Sequence, residues 1–457
     1  MKKILITTIT LNMLLMQSMP LAATAALKSP KTPVIKSQIT EYKIDNVNLD
    51  WWKNYQDEYL EGYIIKAINE NQDLKIATLK VEEARQNVKL QFSKELPNVS
   101  IGAAPALYKM PGVTNTESSF GFPIIASYEA DIFLKNHDKT KSTKKLHEIS
   151  KFNEKTTYIA VASQVGATYF NIVKADKLIS IQNEIIKDRK QIYELMKVRN
   201  NQGITSTADL TRAEKSYVMA VADMKDLEKA RAILLNSLAV LIGESPNNAH
   251  ELKRISYDKM IAKINIPKSI PSEVITQRPD YLAAEKYVEK AGLDVRIAKK
   301  EFLPKIDIFG LLFLATGSTM GSMNWTNALS LLGGQAMLPL FTGGAKVANL
   351  RLNKNKYEQI LQNYYKTNLT AIQEVNDALS SLKIDDEKYH KNLQSFDMQK
   401  SDYSYMQKRY EQGVISKLDL IQQKETLLVM DKMVVSSKTD CLINQISLYK
   451  ATGAAKI

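Results

Sequence analysis

Residues 278–304, RPDYLAAEKYVEKAGLDVRIAKKEFLP, and residues 71–97, NQDLKIATLKVEEARQNVKLQFSKELP, are two versions of one segment. Asp73-Leu74, Ala77, Val81, Ala84, Val88 and Leu96-Pro97 have counterparts 207 positions on. These are Asp280-Tyr281, Ala284, Val288, Ala291, Val295 and Leu303-Pro304. The correspondence continues with a small drift. Asp131-Ile132-Phe133 answers Pro339-Leu340-Phe341, and Gln202-Gly203, Ser206 and Asp209-Leu210 answer Gln412-Gly413, Ser416 and Asp419-Leu420. Leu238 and Gly243 answer Leu448 and Gly453. Such self-similarity marks an internal duplication. Each half reads in one order: helix, Leu-Pro stop, strand pair, very long helix, Gln-Gly break, returning helix.

The length of the central helices follows from what is missing. No proline lies between Pro123 and Pro246 or after Pro339. Gly166 is the only glycine between Asn136 and Gly203, and none lies between Gly344 and Gly413. Without these breakers a helix runs on. About 65 residues at ~1.5 Å each span roughly 100 Å, longer than a compact domain uses. Tyr158, Val165, Ile172, Ile179, Ile186 and Tyr193 fall seven apart. So do Leu361, Asn368, Val375, Leu382, Tyr389, Phe396, Tyr403 and Tyr410. A seven-residue stripe means sustained side-by-side helix packing. The helices after the breaks start at Asp209 and Asp419 and run back antiparallel to about Ile242 and Ala451.

Between Leu96 and Asp131, and between Leu303 and Leu340, the helical pattern stops. Phe120, Phe122, Ile124, Ala126 and Tyr128 alternate with Gly121, Ser127 and Glu129, which is the period of a strand. Its partner is expected around Ser100 to Tyr108, across a loop at Pro111 to Glu117. In the second half, strands are expected at Ile306 to Ala315 and Leu329 to Met337, flanking Gly317 to Asn327. Phe309, Phe313 and Trp325 are candidates for an aromatic belt at the membrane interface. Strands of about 10 residues suit a tilted membrane crossing. Four strands per chain cannot close a barrel, because membrane barrels begin at about eight. An open sheet in lipid would leave edge N–H and C=O groups unpaired. Several chains must therefore share one barrel. Three give twelve strands; two give eight, whose interior is too full for a duct.

The rest of the composition excludes more than it proposes. One cysteine, Cys441, rules out an internal disulfide and a cysteine-based zinc site. The four histidines form no metal or triad motif, so no catalytic residue, metal or cofactor is expected and the chain reads as no enzyme. Residues 1–25 read as a secretory signal: Lys2 and Lys3, the apolar run Ile4 to Leu15, then Ala23-Thr24-Ala25. No cysteine follows that site, so no acyl anchor is expected there. The formal net charge is +13, but the lysines are spread along the chain and export removes nucleic acid as a partner. The densest basic run, KTKSTKK at 139–145, reads either as a solvated helix start or as a contact for lipid phosphates at the periplasmic face of the membrane.

Three segments carry a family resemblance. WWKNYQDEYLEGYIIKAINENQDL at 51–74 resembles the opening of the TolC-like outer-membrane factors of tripartite efflux pumps. IPSEVITQRPDYLAAE at 270–285 resembles their inter-repeat signature, and LPLFTGG at 338–344 resembles the turn into their second long helix. The resemblance covers roughly residues 50 to 453 and fits the small-molecule efflux subclass. It implies a mainly α chain with membrane β: a homotrimer with a shared twelve-stranded barrel in the outer membrane and a twelve-helix periplasmic tunnel. It also implies the organisation: an N-terminal equatorial segment at 26–60, a first repeat at 61–243 (hairpin about 97–133, turn 201–206) and an equatorial linker at 244–277. A second repeat at 278–453 (hairpin about 304–341, turn 411–416) and a tail at 454–457 follow. The implied partners are a periplasmic adaptor, an inner-membrane pump of the RND or ABC type, and outer-membrane lipid. The adaptor is expected on the turns at Gln202, Gly203, Ser206, Gln412, Gly413 and Ser416. Asp209 and Asp419 read either as first-turn acids suited to the positive end of a returning helix or, as the resemblance implies for Asp419, as a lumen-facing acidic ring; Tyr410 matches a tyrosine that latches the closed tip. The latch is incomplete, because Ile415 stands where its arginine partner would fall. Two other functions fit less of the chain: an outlet for type I protein secretion, and a trimeric coiled-coil adhesin, which would have helices without membrane strands.

Overall fold

The computed structural model describes residues 51–108, 117–260, 266–267, 270–316 and 323–454, with backbone only at 104–108, 117–120, 315–316 and 323–329. The expected signal, most of the 26–60 segment and the 109–116 part of the first loop lie outside the described residues. The described residues open with a 3-10 turn, Trp51–Tyr55, then α1 (Glu58–Glu70) and α2 (Gln72–Phe92). β1 (Asn98–Ile101), β2 (Ala104–Tyr108) and β3 (Glu117–Glu129) precede α3 (Lys135–Asn201) and α4 (Thr207–Leu241). After short 3-10 turns and one α-turn at Glu273–Thr276 come α5 (Pro279–Lys300), β4 (Lys305–Thr316), β5 (Met323–Met337), α6 (Ala345–Glu411) and α7 (Lys417–Ala451). Both central helices have 67 residues, hence ~100 Å.

The helices pack as an arc. Near the sheet the order is α2–α3–α5–α6, and toward the far end it is α4–α3–α7–α6. The heptad stripe explains this unevenly. Val165 and Ile172 of α3 are fully buried because α3 has neighbours on both sides. On α6 burial is confined to Ala371, Val375, Ala378 and Leu382, since α6 stands at the edge of the arc.

The sheet is antiparallel in the order β1/β2–β3–β4–β5. β1 and β2 are one edge strand in a single register on β3, from Asn98↔Ser127 to Tyr108↔Glu117. The break falls at Gly102, opposite Pro123. Gly102 still donates to the Pro123 carbonyl at 2.9 Å, but proline has no N–H to return. β5 begins at Met323, six residues earlier than the expected Leu329, and pairs with Thr316 across a bulge.

Pairing parity separates two faces. One carries the rows Val99–Ala126–Gly310–Leu332 and Ile101–Ile124–Leu312–Ser330. Val99, Ile101 and Leu332 are among its most exposed side chains, the mark of a face turned to lipid. The other carries Asn98–Ser127–Phe309–Gly333 and Glu129–Asp307–Gln335, the mixed composition of a lumen. Phe309 and Phe313 lie on this second face, so they do not form the expected lipid-side belt. Their rings occupy the space where Gly333 and Gly121 lack a Cβ, which is how an aromatic covers a strand glycine. The Trp325 side chain lies outside the described residues.

The core sits where the chain enters. Trp51 stacks on Tyr449 with ring centroids 5.7 Å apart. A Cβ on Gly166 would stand 2.6 Å from the Trp51 ring, which explains the lone glycine of α3. Tyr55 donates to Gln445 at 3.1 Å, and Tyr169 to Asp57 at 2.6 Å.

The duplication is clearest in two joints. Asn71 caps α2 and donates to the Leu241 carbonyl at the end of α4, 2.9 Å away. Its counterpart Arg278 precedes Pro279, the first residue of α5, and donates to the Ala451 carbonyl at the end of α7 at 2.6 Å. Arg278 also holds Asp280 (2.9 and 2.6 Å) and Glu374 of α6 (2.7 Å), and is itself buried. Burial acts to raise the Asp280 pKa, but hydrogen bonds and charge from Arg278 outweigh it and hold the carboxyl below its usual range. A lowered folded pKa contributes stability that is full above the unfolded value near ~4 and is lost as pH falls through the folded one.

Arg278→Met should therefore cost about 2–3 kcal/mol, less than a fully buried pair because Asp280 and Glu374 reach solvent. It should also flatten the acid limb of melting temperature against pH. Thermal unfolding in detergent across that range checks both.

Candidate gate and channel surfaces

The far ends of the two helical hairpins are built alike. Gly203 and Gly413 adopt φ of +74° and +75°, a left-handed stop that glycine enters without cost. Gly203 and Ile204 donate to the carbonyls of Asn200 and Arg199, each at 2.9 Å. Gly413 and Val414 donate to those of Tyr410 and Arg409, again at 2.9 Å. Ser206 and Ser416 then cap the returning helices, accepting from the N–H of Asp209 and Asp419 at 3.2 Å. These bonds stop one helix and start the next across five residues, 202–206 and 412–416.

The two ends differ in charge. Asp209 accepts from its own Ser206 (2.7 Å) and from Arg212 (2.9 Å), so its carboxylate has a cation beside it. Among the described residues Asp419 accepts from Ser416 alone, through the hydroxyl (2.7 Å) and the N–H (3.1 Å). The residue matching Arg212 is Gln422. Those two Ser416 bonds hold the exposed Asp419 carboxyl below the usual carboxylate range, so at neutral pH it is an uncompensated anion. Asn200 closes the first turn by donating to the Thr205 carbonyl at 2.8 Å. Tyr410, in the equivalent place, is 38% exposed. Its hydroxyl has no partner among the described residues.

Gln202, Gly203, Gln412 and Gly413 are all exposed, as are Ser206 and Ser416. The same turns also expose Ile204 and Val414, at 63% and 59%. These apolar residues follow the glycines and were not singled out in the sequence. The repeated Gly-Ile and Gly-Val pairs were the available signal.

Above the turns a polar ladder joins α3 to α7. Arg189 binds Glu425 and also donates to the Ser216 carbonyl of α4 at 3.1 Å. Lys424 reaches Glu184 (3.1 Å) and the buried Asp188 (3.0 Å). Lys432 donates to Gln182 at 2.5 Å, and Gln182 in turn to the Ala220 carbonyl at 2.7 Å. Burial pushes Asp188 up, and the Lys424 hydrogen bond and charge pull it back. The pairs stand about 18–30 Å from the turn, at ~1.5 Å per residue. They are the cross-links that any separation of the two hairpins must break.

Among the described residues the lateral surfaces have no partner on either side of the helical layer. One side carries β1/β2, α2 and α4, with Leu90, Val218, Ile233 and Val240 exposed. The other carries β5 and α6, with Leu352, Leu369, Ile384 and Met398 exposed. The sheet and both helical layers thus end in the same two edges. Among the described residues no group of three or more His, Cys, Asp or Glu side chains is placed to hold a metal ion.

Residues 64–244 and 270–454 match the family model described as outer membrane efflux protein. The toluene efflux pump outer membrane protein TtgC of Pseudomonas putida is 23% identical over 419 residues, 88% of this chain and 84% of that protein. The cation efflux system protein CusC of Escherichia coli K12 is 22% identical over 410 residues, 89% of each. The solved CmeC outer membrane channel of Campylobacter jejuni superposes with a TM-score of 0.82 at 23% identity, covering 90% of this chain and 88% of that one.

Arg189 links three helices. Arg189→Ala should therefore speed amide exchange in the first half of α7 about tenfold, the loss of one charged hydrogen-bond set worth ~1.5 kcal/mol. Exchange in α3 near Val165 should be unchanged. Peptide-level hydrogen exchange checks the contrast.

Proposed function

The chain belongs to the outer membrane efflux protein family, and we propose that three copies of it close into one duct that passes small molecules from an inner-membrane pump and its adaptor to the cell exterior. The carrying observation is the pair of matching edges. β5 with α6 on one copy meets β1/β2 with α2 and α4 on the next, a head-to-tail contact that forms a ring when its rotation closes. Four strand positions per chain give a twelve-stranded barrel, and the four-helix arc gives a twelve-helix tunnel. The sheet weighs against the coiled-coil adhesin, which has no use for it. Small-molecule efflux is favoured over protein secretion by the relatives, which are named for toluene, antibiotic and cation efflux.

The gate in this proposal is the α6–α7 hairpin. The turns at Gln202–Ser206 and Gln412–Ser416 take the adaptor, with Ile204 and Val414 as apolar contact points. Asp419 from three copies makes a ring of uncompensated negative charge, which attracts cations at the mouth. Asp209 contributes less, because Arg212 offsets it. Tyr410 lies in the hairpin that moves, and the α3–α7 ladder resists that movement.

Single-channel recording in planar bilayers tests the proposal. Wild type should form cation-preferring pores. Asp419→Asn should lower the cation preference severalfold, and Asp209→Asn should leave it nearly unchanged. Equal effects of the two substitutions would remove Asp419 from this role, and the absence of any pore would remove the duct.

A further inference from the structure

The mixed face of the sheet continues onto three helices. Lys135 of α3 pairs with Glu129 on that face at 2.9 Å. Lys139, one turn on, feels the charge of both Glu129 and Glu301, at the end of α5. The Glu301 carboxylate in turn accepts from Asn349 of α6 at 2.8 Å. Five turns of a helix bring a side chain back to the same side, ~27 Å along the axis at ~1.5 Å per residue. Asn153 lies eighteen residues beyond Lys135, Ala283 eighteen before Glu301, and Thr367 eighteen beyond Asn349. All three line one open recess of about 620 Å³ between α3, α5 and α6. The recess therefore opens on the side of Glu129, which is the lumen side of the proposed duct.

Small residues on α5 make the hollow. Ala283 is buried and Ala284 half-buried, and together they form its floor. The walls are apolar and aromatic: Ile360, Tyr364, and Tyr287, which is 39% exposed. The Tyr364 hydroxyl is spent on that of Tyr281, 2.5 Å away, and this bond pushes the phenol pKa up. What Tyr364 presents to the recess is thus a neutral ring. Asn153, Asn363 and Thr367 bring hydrogen-bonding groups to the lining. Asp280 lines it too, but Arg278 already holds that carboxylate at 2.9 and 2.6 Å, and Lys366 stands exposed. An apolar floor, ring faces and a few convergent polar groups make up a small-molecule site, for which ~300–1,000 Å³ is the usual range. The duplication does not repeat it. Ile76 and Lys80, both exposed, stand in the first half where Ala283 and Tyr287 stand in the second.

We propose that this recess is a resting site for an uncharged aromatic amphiphile passing through the lumen. The ring lies over Ala284 between Tyr287 and Tyr364, and its polar substituents reach Asn363 and Thr367. The inference rests on the efflux reading and deepens it, by naming a class of cargo that the tunnel wall holds in transit.

The test uses the full-length channel in planar bilayers, with chloramphenicol, an uncharged nitrophenyl amide, as the probe. Open-pore current reports for each variant that the duct has formed. In wild type, chloramphenicol should interrupt that current with resolved blocks. Sucrose, an uncharged solute of similar size without an aromatic ring, should not. Tyr287→Ala should shorten the blocks about tenfold, the weight of one aromatic contact. Ala284→Leu, which fills the floor, should shorten them as well. Lys80→Ala, at the matching position of the first half, should leave them as in wild type. The proposal is overturned if conducting wild-type pores show no chloramphenicol block, if sucrose blocks for as long, or if the Tyr287→Ala and Ala284→Leu pores are blocked as wild type is. Absence of any open-pore current in wild type would instead remove the duct on which the inference rests.

Discussion

A strand surrounded by hydrocarbon must spend every backbone N–H and C=O on another strand, since no water is there to accept them. In this chain the constraint falls on two places. Among the described residues the outer edge of β1/β2 and the outer edge of β5 have no partner. The apolar face between them, with Val99, Ile101 and Leu332 exposed, leaves no aqueous position in which such a sheet would be content. Closure by further copies satisfies the edges and places the mixed face, with Glu129, Asp307 and Gln335, around a water-filled interior. The helical arc ends in the same two edges, so a single interface serves barrel and tunnel together.

Duplication supplies the scaffold, and in the proposed duct the departures from it supply the gate. Asn71 on Leu241 and Arg278 on Ala451 are the same joint made with different side chains. The larger guanidinium also reaches Glu374, which ties three helices of the second half where Asn71 ties two of the first. At the far end the backbone of the two turns is nearly superimposable in its hydrogen bonding, yet their charge differs. Asp209 is paired with Arg212, while Asp419, with Gln422 at the position matching Arg212, lies exposed. Asn200 fastens its turn and Tyr410 does not. A ring of three chains then holds two kinds of hairpin, one stiffened and neutralised and one looser and anionic.

The helices were legible because their signals are local: no proline across either central helix, a single glycine, Gly166, in one and none in the other, and glycine stops. The strands were legible in kind but less so in extent. Nothing in the sequence around Met323 to Ala328 alternates clearly, and its place in β5 is set by pairing with β4. The misplacement of Phe309 and Phe313 has a similar cause. Alternation tells which residues share a face, but the identity of the lipid side depends on the neighbouring strands, where Ser127 and Gly333 flank Phe309. Single-chain features of the tip, such as the Ser416 cap on Asp419, follow from spacing. The Arg212 pairing that distinguishes Asp209, and the α3–α7 ladder of Arg189, Glu425 and Lys424, join side chains whose contacts only the fold decides.

The claim on which the account stands is that β1 of one copy zips onto β5 of the next. Cysteine pairs combining Val99 or Ile101 with Leu332 or Ala336, in a chain whose own Cys441 is buried, report on it directly after oxidation in native membranes. The account predicts a covalent ladder that ends at three chains for the in-register pair and vanishes when either cysteine is omitted. A chain that stays single under oxidation at every pair, or a ladder that runs past three, would contradict it.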